Sequence, residues 1–179
     1  MAPLDPNALT LRRFNANDDQ ELLDDITALL HAAYRPLLED GLKYVATHQS
    51  SDITRDRLAK GESYLGFLAG ELIATITLET DIAEKNCGWF QRKDVYKFAQ
   101  FAVHPDLKGQ GIGSLIMDKI EARAGELGAA ELALDTSEQA HQLIAMYTKR
   151  GYREVDRLNW EMTNYKSVVL SKNLMDGRA

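Results

Sequence analysis

The chain has 179 residues, 45% hydrophobic and 27% charged, with a formal net charge of −6. That length and composition suit one globular domain around a single core, and no apolar run approaches the about 20 residues of a membrane-spanning helix. The acidic balance excludes a general nucleic-acid binder, which needs clustered Lys and Arg, and the single cysteine, Cys87, excludes an internal disulfide and a multi-cysteine zinc site.

The first stretch, MAPLDPNALTLRRF, has neither a basic head nor an apolar signal core, so a cytoplasmic location is expected. A short strand is predicted over residues 8–14. Asn17 then reads as an N-cap for a helix with Leu22, Leu23, Ile26, Leu29, Leu30 and Ala33 on one face, ended or kinked by Pro36. A shorter helix follows from 51 or 52 to 60, closed by Gly61. Two β-prone runs flank Ala69, Gly70 and Glu71, the pattern of an antiparallel hairpin. IAEKNCGWFQRKD is polar and reads as a loop, and VYKFAQFAVH, rich in β-branched and aromatic residues, reads as a strand.

Next comes a glycine run and a helix over 111–127, with Ile112, Leu115, Ile116, Ile120, Ala124 and Leu127 on one side and Gly128 just past its end. ELALDT has the apolar character of a strand buried on both faces. Thr136 and Gln139 match a capping box for a helix that turns Ala140, Leu143, Ile144 and Tyr147 inward and stops at Gly151. Strands over 152–161 and 166–172 close the chain, with Trp160 and Tyr165 around the turn between them. The order is one of a mixed sheet with helices on its faces, a single α/β (α+β) domain over residues 1–179.

Gly109, Gly111 and Gly113 stand between the His104-Pro105 strand end and the helix. Glycine admits positive φ and lets a ligand approach the backbone. A helix N-terminus leaves several amides unpaired and carries partial positive charge. Together they make an anion site, with the amides of Gln110, Gly111, Ile112, Gly113 and Ser114 as donors and Lys108 at the rim; phosphate is the natural anion. A Walker loop fails because Ser114 holds its second glycine position and no Lys-Ser or Lys-Thr follows. A Rossmann fingerprint fails because Ser114 holds its third.

The spacing that fits is Lys108-Gly109-Gln110-Gly111-Ile112-Gly113 after FAVHPD. It resembles motif A of the GNAT superfamily of N-acetyltransferases, with Lys where Arg or Gln is commoner. Tyr147-Thr148-Lys149-Arg150-Gly151-Tyr152 resembles the family's downstream tyrosine motif, and the element order agrees over about residues 9–170. The resemblance implies a mixed, mostly antiparallel central sheet of about six to seven strands with about four helices and a splayed strand pair. It also implies acetyl-CoA as co-substrate. Its pyrophosphate would meet the amides of Gln110, Gly111, Ile112, Gly113 and Ser114, and its pantetheine arm the backbone of Phe101, Ala102 and Val103.

By the same resemblance, Tyr147 is expected to protonate the CoA thiolate and the Val103 amide to meet the oxyanion. The base is open. Residues 96–101 carry no carboxylate where many members have Glu; Glu79, Asp81, Asp135, His141 and a water relayed through Gln100 are the candidates. No helix-spaced histidine pair occurs among His31, His48, His104 and His141, and no metal is expected. Tyr34, Tyr44, His48, Trp89 and Phe90 fall in regions the resemblance puts on the acceptor side. The expected partner is a small-molecule or peptide amine, with no nucleic acid or membrane; monomer and homodimer both stay open. Rival functions are a CoA-binding sensor without efficient catalysis and O-acyl or longer-acyl transfer.

Overall fold

A computed structural model describes residues 8–82 and 86–175. Strand β1 (Leu9–Arg13) leads through a short 3-10 turn into helix α1 (Leu23–Glu39), and helix α2 (Ser51–Leu58) follows. Strands β2 (Glu62–Leu68), β3 (Glu71–Glu79) and β4 (Val95–Val103) come next. Helix α3 (Ile112–Glu126), strand β5 (Glu131–Ser137), helix α4 (His141–Lys149) and strands β6 (Arg153–Asn159) and β7 (Lys166–Asn173) complete the chain. The seven strands form one sheet in the order β1-β2-β3-β4-β5-β7-β6, antiparallel at every junction except the parallel β4–β5 pair.

Local chemistry accounts for the elements that position the site. Ala69 and Gly70 both take positive φ, 51° and 85°, so the β2–β3 hairpin has the two-residue turn whose twist matches the strands. Ser50 caps α2 by accepting from the Ile53 amide at 3.3 Å. Ile116, Met117, Ile120 and Ala124 of α3 bury one stripe against Ile76 and Leu78 of β3 and Phe98 of β4. Leu23, Ile26 and Leu30 of α1 and Leu58 of α2 pack with Leu65 of β2 and Ala102 of β4 in a second cluster. The sheet is therefore covered on both faces.

Three sequence expectations are corrected here. Asn17 is not the N-cap of the first helix: a 3-10 turn spans Gln20–Leu22, and α1 begins at Leu23 without a side-chain cap. Helix α1 does not end at Pro36 but runs to Glu39. The turn beyond it is held by Asp40 N–H donating to Pro36 O at 3.0 Å and Leu42 N–H to Leu37 O at 2.9 Å, and Leu37 packs with Leu42 and Tyr44. Thr136 is no N-cap. β5 stays paired with β7 as far as Ser137 opposite Ser167, and α4 starts only after Ala140, without a side-chain cap. The Thr136 hydroxyl shares a 2.8 Å hydrogen bond with Tyr44 Oη instead. In the loop read over 82–94, residues 83–85 lie outside the described residues, and a 3-10 turn occupies Trp89–Gln91.

Candidate active site

β4 and β5 pair only over Val95, Tyr96 and Lys97, opposite Glu131, Leu132 and Ala133. Past that point β4 continues to Val103 and β5 to Ser137 without pairing, so a wedge opens between them. β4 also carries a bulge: Thr75 opposes Ala102 while Thr77 opposes Ala99, and the extra residue region includes Gln100 at φ 51°. Beyond the bulge, Val103 lies opposite Ala74 while His104 N–H donates to Ile73 O at 2.8 Å. That makes Val103 a non-hydrogen-bonded pair member whose own N–H and C=O turn away from β3, toward the wedge.

The same strand feeds the glycine run. Pro105 opens a 3-10 turn to Leu107, and Gly109 and Gly111 then take φ 80° and 82°, which only glycine adopts without strain. A Cβ at either would meet nothing within 4 Å, so the space over both is open. Gly111 caps α3, and the first helical bond runs from Leu115 N–H to Gly111 O at 3.0 Å. The amides of Gly111, Ile112, Gly113 and Ser114 therefore precede the ladder. The Gln110 amide differs from expectation: it turns back to Leu107 O at 3.4 Å. Gly113 packs against the strand, where a Cβ would stand 3.6 Å from Phe101 Cζ.

The wedge widens into a cavity of about 580 Å³. Its aromatic wall comprises Tyr34, Tyr44, Tyr147 and Tyr165 with Phe98 and Phe101. Tyr34 donates to Phe101 O at 3.2 Å, and its ring lies 5.5 Å from that of Tyr44, which lies 4.7 Å from Tyr165. Tyr147, from α4, packs its ring 5.8 Å from Phe98 and 5.7 Å from Tyr152. Its hydroxyl makes no hydrogen bond among the described residues. Burial pushes that hydroxyl well above the ordinary tyrosine range and pushes Tyr34 up to about 12, so both keep their protons near neutral pH.

Charged groups line the other side. Lys97 Nζ is 3.0 Å from Asp135 Oδ1, with both side chains nearly covered, and sits 5.0 Å from the Phe90 ring and 5.1 Å from the Trp160 ring. Trp160 Nε1 donates to the second Asp135 oxygen at 2.7 Å. Burial pulls the Lys97 ammonium down, but Asp135 and Glu79 more than offset it and the net shift is upward. Glu79, buried, also lines the cavity, as does half-buried Arg57 from α2. Arg57 Nη1 donates to Gln49 Oε1, and Gln49 Nε2 donates to Gln100 Oε1 at 2.8 Å and to the Thr54 hydroxyl at 2.7 Å.

A family model described as "Acetyltransferase (GNAT) family" matches residues 23–152, which include the glycine run, the wedge and Tyr147. The chain belongs to the GNAT acetyltransferase family. Two relatives from Bacillus subtilis (strain 168) span most of this acetyltransferase. S-(2-succino)cysteine N-acetyltransferase is 28% identical over 145 residues, covering 78% of this chain and 82% of its own length. S-alkylcysteine N-acetyltransferase is 27% identical over 150 residues, covering 79% and 76%. Among solved structures, a GNAT family acetyltransferase from Elizabethkingia anophelis with acetyl-CoA bound aligns with a TM-score of 0.64 at 16% identity, over 93% of this chain and 99% of that one, a likeness of fold.

Of the residues singled out in the sequence, Phe101, Ala102 and Val103 lie along the wedge-side strand of the acetyltransferase, and Tyr147, Tyr34, Tyr44, His48, Glu79, Gln100 and Asp135 line the cavity. Trp89 and Phe90 do not line it. They pack beneath β6 in a separate cluster with Cys87, Val95 and Leu158. Asp81 and His141 are exposed and also lie outside the cavity. Lys97, Arg57 and Gln49 were not anticipated. The one local signal for Lys97 was a charged residue inside a strand whose other side chains, Gln100 apart, are apolar or aromatic. Arg57, on a short polar helix, gave none. Among the described residues, no helix is long and apolar enough to cross a membrane.

Proposed function

We propose that this acetyltransferase uses acetyl-CoA to acetylate a primary amine of a small molecule by direct transfer. The observation that carries the proposal is the continuity of three features: the amides ahead of α3, the unpaired edge of β4 and the cavity holding Tyr147. The residues present fit the co-substrate. Gly109 and Gly111 leave open space above unpaired amides, where a pyrophosphate is favoured, with Lys108 at the rim. The outward N–H and C=O groups of β4 offer an extended arm the pairing that β5 does not take up.

Bound acetyl-CoA would supply the acyl group as an activated thioester. The chain's own groups then have distinct tasks. The Val103 amide turns to the side where charge gathers on the carbonyl oxygen. Tyr147, held neutral by burial, gives its proton to the departing thiolate sulfur as the N–C bond forms and the C–S bond breaks. Glu79 is the buried carboxylate of the cavity with no hydrogen-bond partner among the described residues, and it takes the proton the attacking amine must lose. A concave cavity of about 580 Å³ favours a small acceptor over a protein surface. The two Bacillus relatives, named for acetylating cysteine derivatives, support the same class.

Thermal unfolding with acetyl-CoA, ATP and NADH tests the co-substrate, since a ligand that binds only the folded state raises the midpoint. Stabilisation by acetyl-CoA alone is expected; an absent shift would remove it. A CoA-thiol release screen over amines then separates an enzyme from a CoA-binding sensor.

A further inference from the structure

Among the described residues, two cations line the cavity without a matching anion: Lys60, which is exposed to solvent, and Arg57, which is half-buried. Lys97 is paired with Asp135 at 3.0 Å. Arg57 meets no carboxylate within ion-pair reach among the described residues, and its single hydrogen bond goes from Nη1 to Gln49 Oε1. A guanidinium only donates, so this bond fixes the Gln49 amide with its oxygen toward Arg57. Gln49 Nε2 must then donate, and does so to Thr54 Oγ1 and Gln100 Oε1. Thr54 in turn meets the Thr27 hydroxyl, which donates to Leu23 O at 2.7 Å. Every member of the chain is thus oriented, and Gln100 is left presenting its amide nitrogen.

That Nε2 is buried in the cavity wall with no acceptor among the described residues. A buried donor without a partner costs about 1–3 kcal/mol, and Gln100 sits there on a left-handed backbone at the β4 bulge. Nη2 and Nε of Arg57 are likewise uncommitted. Two sets of free donors, locked at either end of one buried glutamine, match an acceptor group with two oxygens. Glu79, in the same cavity, complements an ammonium.

We propose that Arg57 and Gln100 form a subsite for a carboxylate carried by the acceptor, so that the acceptor is a small zwitterionic amine of the amino-acid class. The carboxylate lies on Arg57 and Gln100, and the amine, released from its proton, faces the wedge. This rests on the acetyl-transfer reading above and adds the half of the acceptor that does not react.

The test uses the full-length protein with acetyl-CoA and pairs of acceptors: the protein L-amino acids and S-methyl-L-cysteine, each against its own carboxamide. A carboxamide has the less basic amine and more of it neutral, so intrinsic reactivity favours the amide. A preference for the acid therefore reports recognition. We expect acids to be favoured, and Arg57→Gln to lower kcat/KM for the best acid about 100-fold while leaving its amide within about threefold. Arg57→Lys should recover part of the preference, because it keeps the charge without the fork. Acetyl-CoA stabilisation of both variants should match the parent, which shows that they fold.

If acids and amides are used equally, if no acid is acetylated while other amines are, or if Arg57→Gln lowers both members of a pair alike, the subsite is overturned while acetyl transfer stands. No CoA release with any amine, or no stabilisation by acetyl-CoA, overturns the acetyl-transfer reading itself.

Discussion

At the α3 end of the wedge, the unpaired donors are backbone amides of four consecutive residues, Gly111, Ile112, Gly113 and Ser114. At the other end the polar groups are side chains brought from five places: Arg57 on α2, Glu79 on β3, Lys97 and Gln100 on β4, Asp135 on β5 and Trp160 after β6. The first end is written in local φ angles and needs no side chain at all. The second exists only once the sheet has closed, and its Lys97–Asp135 pair is buried at a cost that each partner offsets for the other. A backbone site tolerates changes in everything but the glycines held at positive φ, here Gly109 and Gly111. A side-chain site fails when any one partner goes.

The largest expected effect tests the fragility of the side-chain end. Lys97→Met leaves Asp135 charged and nearly covered with only the Trp160 indole N–H against it. Breaking a buried pair in this way costs about 3–5 kcal/mol, which urea unfolding would register as a large fall in midpoint. Adding Asp135→Asn should recover much of that loss, because the amide oxygen still accepts from Trp160 and no bare charge remains. If the double variant is no more stable than Lys97→Met alone, the pair is not what holds that end together.

The same contrast decides what could be read from the sequence. The positive φ of Gly109 and Gly111, the hairpin at Ala69-Gly70 and most of the apolar stripe of α3 are fixed by neighbours a few positions away and stand in the structure, with Met117 rather than Leu115 in the core. Misreadings arose where a distant contact overrode a local rule. Thr136 has the spacing of a cap, but β7 holds its backbone in the sheet and Tyr44 takes its hydroxyl. Pro36 is expected to end or kink the first helix, and the ending is overturned, since α1 runs on to Glu39 where Leu37 joins the cluster of Leu42, Tyr44 and Ala140. Trp89 and Phe90, grouped by sequence with the acceptor side, are drawn under β6. Arg57 and Gln49 bond to each other directly, but their tie to Gln100 on the β4 bulge spans 51 residues.

Tyr147 stands where the two ends meet, and Tyr147→Phe gives the next effect in size. The ring contacts to Phe98 and Tyr152 survive, so stability should change little. What goes is a proton donor. Loss of a positioned acid costs about 100-fold or more in rate, so kcat should fall by about that factor with acetyl-CoA stabilisation retained. Unchanged kcat would take Tyr147 out of the acid role and leave it as a packing residue at the junction.

The smallest effect separates two glycines of one motif. Gly111 has φ 82° with open space where a Cβ would stand, whereas Gly113 is helical and its Cβ would make ordinary contact with Phe101. Gly111→Ala therefore meets no clash in the free protein and costs about 1–2 kcal/mol of left-handed strain. Its methyl would stand in the space assigned to the pyrophosphate, so acetyl-CoA affinity should fall about tenfold beyond any loss of stability, the equivalent of about 1.4 kcal/mol. Gly113→Ala keeps a helical backbone, gains helix propensity and should unfold at or slightly above the parent temperature with acetyl-CoA affinity nearly unchanged. Calorimetric titration of acetyl-CoA into both variants makes the comparison directly. Equal affinities would mean that the open space over Gly111 is not where the phosphates sit, and that the backbone end of the wedge owes its glycines to the turn alone.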